Sequence, residues 1–357
     1  MARFFRQTVL ILIATAGVLL LVGSRDFLTP ILPEKYAALQ AQSHRINTLF
    51  IGPSRTYRSF DPAIIDSILN TNGIPIRSFN LGKAAMTPLE ANMMVDRVLQ
   101  MKLPNLKLIV FELEGFESEV VLNLVRKNQG ASRIISFHDL KRTWLGCQVV
   151  WAMERPLAEK IAALSEKLLL LLKHLSLAGK GDELILGAQK QKPGIRPEKT
   201  RNPLTFNGFV ALDEEIEERY KFRYKHFLGK RGQKLFKTHL ALMRTNHNNI
   251  DIRQQDWVSA EIFRQMAEKC AAEGIRVIFL FPPIGLGLQP LATALQTQDA
   301  NTPIIRLSSM EKYPAFYRVE NRFDRHHLNH KGAKIASREM AAALLKFRSI
   351  LEVLNRS

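Results

Sequence analysis

Apolar positions along the chain fall into short unbroken runs separated by amphipathic segments. That is the rhythm of buried parallel strands with helices packed on the sheet. Residues 46–52, 76–80 and 106–113 read as strands. Between the first two, Asp61-Pro62 supplies an N-cap and a proline at the first helical position, which predicts a helix over 61–70 ended by Thr71-Asn72-Gly73. Between the second and third, Thr87-Pro88-Leu89-Glu90 is a capping-box pattern opening a helix over 87–101. Three strands joined by two helices make a βαβαβ unit and call for a parallel sheet. The same rhythm returns late in the chain. A helix is expected over 257–274, a buried strand over 275–281, a short last strand over 303–307, and a C-terminal helix over 330–351 capped by Asn329.

The pattern lapses between these two blocks. Residues 158–177 are apolar and helical, with leucines clustered at 168–172 that read as local core in preference to a second membrane contact. A basic, Gly- and Pro-containing loop is expected over 180–207, a highly charged helix over 212–230 and a basic helix over 234–246. The organisation expected is an α/β domain formed by 46–114 and 256–357. A large, basic, helical insertion over 115–255 covers the strand ends or offers a partner surface. Residues 25–45 read as a linker with a short helix around 34–41, and no internal repeat is evident.

At the N-terminus, Arg3 and Arg6 precede an uncharged apolar run over 8–23. A charged start followed by such a run is an export signal. It reads as an uncleaved signal anchor, a single transmembrane helix within 1–24 with the arginines held inside. Cleavage near Val22-Gly23-Ser24 is the alternative. Either way the rest of the chain is expected on the outer, periplasmic side of the cytoplasmic membrane. The formal charge is +18 over 357 residues. An exported basic surface suits an anionic membrane or an anionic polymer; no nucleic-acid-binding motif is present, and export argues against such a partner. Two cysteines, Cys147 and Cys270, make neither a disulfide framework nor a zinc site, and whether they pair is open.

The chemistry sits at the two ends of the α/β pattern. Ser54 follows strand 46–52 and the Gly52-Pro53 turn, at the C-terminal end of a parallel strand where ligands bind in such sheets. A serine there needs a base. Asp324 and His327, three residues apart before the last helix, supply the types required: His to take the serine proton, Asp to hold the imidazole. His326, His327, His330 and Asp324 also raise the question of a metal. Only His326 and His330 have helical zinc-pair spacing, and no further ligand is evident, so neither metal nor cofactor is expected. Arg55 and Arg58 flank the serine and Lys83 follows Gly82; they read either as binders of an anionic group on a polymer or as surface ion pairs.

These blocks resemble the SGNH/GDSL hydrolase superfamily. Gly52-Pro53-Ser54-Arg55 matches its first block, with Pro where the name-giving motif has Asp. Asn80-Leu81-Gly82 fits the second, and Asp324-Arg325-His326-His327-Leu328-Asn329 with Lys331-Gly332-Ala333 fits the last. The resemblance implies a flavodoxin-like three-layer sandwich, Ser54 as nucleophile, His327 as base and Asp324 as its orienter. It further implies that the backbone N–H groups of Ser54 and Gly82 form an oxyanion hole. The third block departs: the family places an Asn there, whereas strand 106–113 leads into Glu112-Leu113-Glu114-Gly115. One lost oxyanion donor costs about 3 kcal/mol of transition-state stabilisation. In lacking it, the chain resembles membrane-anchored relatives that modify surface polysaccharides, such as alginate-acetylation and teichoic-acid D-alanylation proteins. The expected activity is an O-acyl esterase or acyltransferase acting on a cell-surface glycan or anionic polymer through an acyl-serine. The alternative is a non-catalytic partner of a membrane acyltransferase that has kept the fold.

Overall fold

The computed structural model describes residues 33–116, 131–176, 201–214, 218–247, 251–283 and 289–355. The expected transmembrane segment lies outside the described residues, and no described helix is long and apolar enough to cross a membrane. The chain is an α/β protein built on a five-stranded, wholly parallel sheet of β1 (Thr48–Ile51), β2 (Ser78–Asn80), β3 (Leu108–Glu112), β4 (Arg276–Phe281) and β5 (Ile304–Arg306). Their spatial order is β2-β1-β3-β4-β5. Phe50 faces Asn80 on one side and Val110 on the other, which sets the register across the centre.

Alternation along the strands divides the interior in two, as a pleat requires. Leu49, Ile51, Ile109, Phe111, Val277 and Phe279 point into one core. Phe50, Leu108, Val110, Ile278 and Leu280 point into the other. The first core is closed by α1 (Pro33–Ala41), α4 (Pro88–Gln100), α10 (Gln254–Ala272) and α11 (Gln289–Gln298). The second is closed by α3 (Pro62–Thr71) and α12 (His330–Leu345), with α13 (Arg348–Leu351) behind. Asp61 caps α3 through Ala63 N–H, Thr87 caps α4 through Glu90 N–H, and Asn329 caps α12 through Gly332 N–H, as their sequence signatures predict.

The inserted block splits between the two sides. Helices α5 (Ala131–Ser136), α6 (Leu140–Ala152) and α7 (Leu157–Ser176) pack outside α4 and α10, with Leu145, Val149 and Leu170 joining the first core. Helices α8 (Glu218–Leu228) and α9 (Lys230–His247) send Phe227, Phe236 and Met243 into the second core. The segment between the halves runs past the free edge of β2, where Asn80 N–H donates to Asn207 O at 2.8 Å. A charged helix and a basic one in this part of the block were anticipated. The leucine cluster departs from the expected local core: Leu170 and Leu171 are buried, but Leu168, Leu169 and Leu172 face solvent. A run of five leucines must turn some outward, because one helix face cannot hold consecutive positions. The short helix expected around 34–41 is α1, and it is more than a linker element, since it buries Ala38 and Leu39 completely.

Candidate active site

Directly after the Gly52-Pro53 turn, Ser54 opens a short helix, α2 (Ser54–Ser59). Its N-cap residue, Pro53, makes no side-chain cap bond. The cap comes from β3 instead. The Glu112 carboxylate accepts Thr56 N–H at 2.9 Å and Thr56 Oγ1–H at 2.5 Å, while Arg55 Nε donates to its other oxygen at 2.7 Å. Glu112 is fully buried, so these bonds replace the water it has lost. A carboxylate at the first turn also complements the helix dipole. Gly52 is required here because a Cβ would stand 2.6 Å from both Glu112 Cβ and Thr56 Oγ1.

The last block folds back as a tight hairpin, with Arg322 bridging Leu328. Asp324 Oδ1 accepts the N–H groups of His326 at 2.8 Å and His327 at 2.9 Å, an Asx-type turn that fixes the carboxylate. Phe323 N–H donates to His327 O at 3.0 Å. The buried Arg322 braces the turn through Nε to Asp324 O at 3.1 Å; burial pushes its pKa down to about 9.

These two blocks, more than 250 residues apart, meet. His327 Nδ1 lies 2.9 Å from Asp324 Oδ1, and His327 Nε2 lies 2.8 Å from Ser54 Oγ. With its proton on Nδ1, facing the carboxylate, the neutral ring offers the Nε2 lone pair to the serine hydroxyl. Burial acts to raise the Asp324 pKa. His327, the Arg223 guanidinium and the His326 N–H outweigh it and hold the carboxyl well below the ordinary range. Asp324 therefore stays ionised while its neighbour takes up a proton. The adjacent His326 is not equivalent. Its Nε2 accepts from Arg325 Nε at 2.7 Å, and desolvation, then the Arg325 charge, push its pKa down to about 4. His330 Nδ1 turns away to Glu214 at 2.9 Å. Among the described residues no group of three or more His, Cys, Asp or Glu converges as a metal site.

The expected oxyanion donors differ in their state. Among the described residues Ser54 N–H has no acceptor, whereas Gly82 N–H donates to Asn80 Oδ1 at 2.9 Å. Asn80 also donates from Nδ2 to Thr56 O and Phe60 O at 2.9 and 2.7 Å, so it ties the second block to α2. Lys35 of α1 grips the same turn, reaching Asn80 O at 2.8 Å and Gly82 O at 2.5 Å. Gly82 admits no side chain, because a Cβ would fall 2.7 Å from Tyr57 N.

The three basic candidates for an anionic ligand are occupied by the protein itself. Arg55 pairs with Glu112, and Lys83 pairs with Glu90 at 3.0 Å. Arg58 is buried over the Tyr57 ring and donates to Val210 O at 3.1 Å. No local signal marks Arg223, which reaches Asp324 from α8. Tyr224 stacks on Phe323 at 5.2 Å, and Asp213 accepts His330 N–H at 2.7 Å, so the insertion buttresses the histidine loop. Glu112 had a legible signal: a carboxylate within a buried strand must find partners. No protein-family model and no curated protein matches the chain.

Proposed function

We propose that this chain is a membrane-anchored, extracytoplasmic serine O-acyl esterase or acyltransferase of the SGNH type, acting on a cell-surface glycan or anionic polymer. The observation that carries the proposal is the continuous Asp324–His327–Ser54 relay. The strand order 2-1-3-4-5, which is that of flavodoxin-like folds, supports it. In the first step Ser54 Oγ attacks the acyl carbonyl as His327 Nε2 takes its proton. The tetrahedral oxyanion forms beside Ser54 N–H, and its collapse breaks the ester C–O bond while His327 returns the proton to the leaving alkoxide. The acyl group is then on Ser54. A water or an acceptor hydroxyl loses its proton to His327, attacks the acyl-Ser54 carbonyl and releases Ser54.

Labelling with a serine-directed phosphonate tests the chemistry. The native chain is expected to take one label, Ser54→Ala none, and cells carrying Ser54→Ala to lose acyl groups, or their turnover, on the surface polymer. One observation favours a non-catalytic partner of a membrane acyltransferase: the Gly82 donor is engaged by Asn80, and Glu112 stands where the superfamily has its Asn donor. That reading predicts unchanged surface acylation when Ser54, Asp324 and His327 are each replaced by Ala, and loss of acylation when residues 115–255 are removed.

A further inference from the structure

The outer face of α7 has a composition that water does not explain. Apart from Glu159 in the first turn, which lies off this face, the exposed positions of α7 are 157, 158, 161, 162, 165, 168, 169, 172, 175 and 176; they form one continuous helical face, and none of them carries an ionisable group. Its six large apolar side chains, from Leu157 to Leu175, are each 47–62 % exposed. Beside it, α6 exposes Leu140, Trp144 and Trp151, the tryptophans at 65 % and 62 %. An open apolar cleft of about 1190 Å³ lies between α6, α7 and α10, lined by these tryptophans with Leu164 and Trp257. A contiguous apolar face of this extent marks an interaction site.

We infer that the α6–α7 face docks on the lipid bilayer, its leucines among acyl chains and Trp144 and Trp151 at the headgroup level. This rests on the reading of the N-terminal run as a membrane anchor. Chain geometry selects the occupant. The described chain begins with α1, where Tyr36 OH donates to Met94 Sδ of α4 at 2.8 Å. On that same α4, α6 is seated, with Arg142 paired to Asp96. The entry of the chain and the apolar face therefore share one side of the sheet. Nine residues, 24–32, separate α1 from the end of the uncharged run and can span at most about 30 Å. A domain held on so short a tether presents the side from which the tether leaves. Tryptophans bordering an apolar face are the composition of a membrane interface, and a chain of net charge +18 complements anionic headgroups.

The test uses the full chain in vesicles of phosphatidylethanolamine and phosphatidylglycerol, with either ordinary or brominated acyl chains. Bromine is expected to quench most of the emission of Trp144 and Trp151. The Trp144→Phe/Trp151→Phe variant, which keeps Trp257, loses the quenchable component. Leu168→Glu/Leu172→Glu, exposed positions whose replacement leaves the core intact, abolishes quenching while the chain stays with the vesicles after a carbonate wash. Equal emission in the two lipids by chains that survive the wash overturns the docking and leaves the anchor standing. So does dimerisation that buries the same tryptophans without quenching. Release of the native chain by the wash overturns the anchor reading, and the docking with it.

Discussion

The two halves of the inserted block make opposite use of their outer faces. Among the residues whose exposure is described, α8 and α9 turn Lys221, Arg223, Lys225, Lys230, Arg231 and Lys234 outward. Tyr224 packs on the histidine loop and Phe227 with Phe236 in the second core, while Phe222, Leu228, Leu235 and Leu242 are exposed singly among those charges. Helix α7 turns outward a face with no charge, and its six exposed large side chains forgo on the order of 10 kcal/mol of burial at about 1.5–3 kcal/mol each. One half completes the α/β domain around the triad; the other leaves an apolar face uncovered by the described residues. Continuity in sequence thus says little about shared purpose. The halves diverge because the segment along β2 carries the chain from one side of the sheet to the other.

The largest effect is expected where the triad half meets the α/β domain. Ser54→Ala or His327→Ala should lower kcat/KM for a small neutral ester such as p-nitrophenyl acetate by about 10³–10⁴-fold or more, because the relay acts as a unit. Leu168→Glu/Leu172→Glu should leave that rate unchanged. Equal loss in both sets would dissolve the distinction between the halves.

The next effect lies beneath the serine. Glu112→Ala leaves Arg55 and the Thr56 N–H and hydroxyl without their buried acceptor. Removing one partner from a buried pair costs about 3–5 kcal/mol, which urea unfolding would read directly. Glu112→Gln keeps an acceptor for Thr56 and should lose less. A Glu112→Ala chain as stable as the native one would refute the view that β3 caps α2.

A third prediction concerns the frame on which both halves hang. Asp66 of α3 accepts Ser78 N–H at 2.9 Å and Ser78 Oγ–H at 2.5 Å, yet its pKa is raised to about 6, burial outweighing those bonds. The folded state takes up this proton before the unfolded chain, whose pKa is about 3.9, so this contribution to stability is full below pH 4 and lost as pH rises to 6. The stability of the native chain relative to Asp66→Asn should fall by roughly 2–3 kcal/mol between pH 4 and pH 7. Urea midpoints across that range test the sign, and a relative rise would contradict it.

What was legible in the sequence follows from the range of the forces involved. Strands β1, β3 and β4 announce themselves because burial on both faces demands unbroken apolar runs, and Asp61, Thr87 and Asn329 announce helix starts because a cap acts over three residues. Ser54, Asp324 and His327 were legible as residue types in expected places. The helix at 54–59 was not, since its cap, Glu112, arrives from another strand. Nor were the partners of Arg55, Arg58 and Lys83, which left their role open between ligand and ion pair. The leucines of α7 misled because hydropathy records composition, while burial depends on which neighbours the fold supplies.

The smallest effect probes the seam between insertion and triad. Arg223 binds Asp324 from α8, and its half-exposed guanidinium loses much of its Coulomb energy to water. Arg223→Gln removes a positive charge that lowers the Asp324 pKa, so the carboxylate becomes a stronger partner for a charged imidazole. The expected result is an acid limb of the pH–rate profile displaced to higher pH, with the rate on its plateau changed by less than about tenfold, equivalent to about 1 kcal/mol. Arg223→Lys should move the limb part of the way back, because it returns the charge without the planar geometry. A purely structural brace would change the unfolding midpoint and leave the profile where it was. A profile unmoved by Arg223→Gln at unchanged stability would place the whole insertion outside the chemistry, and the two halves would then differ only in what they touch.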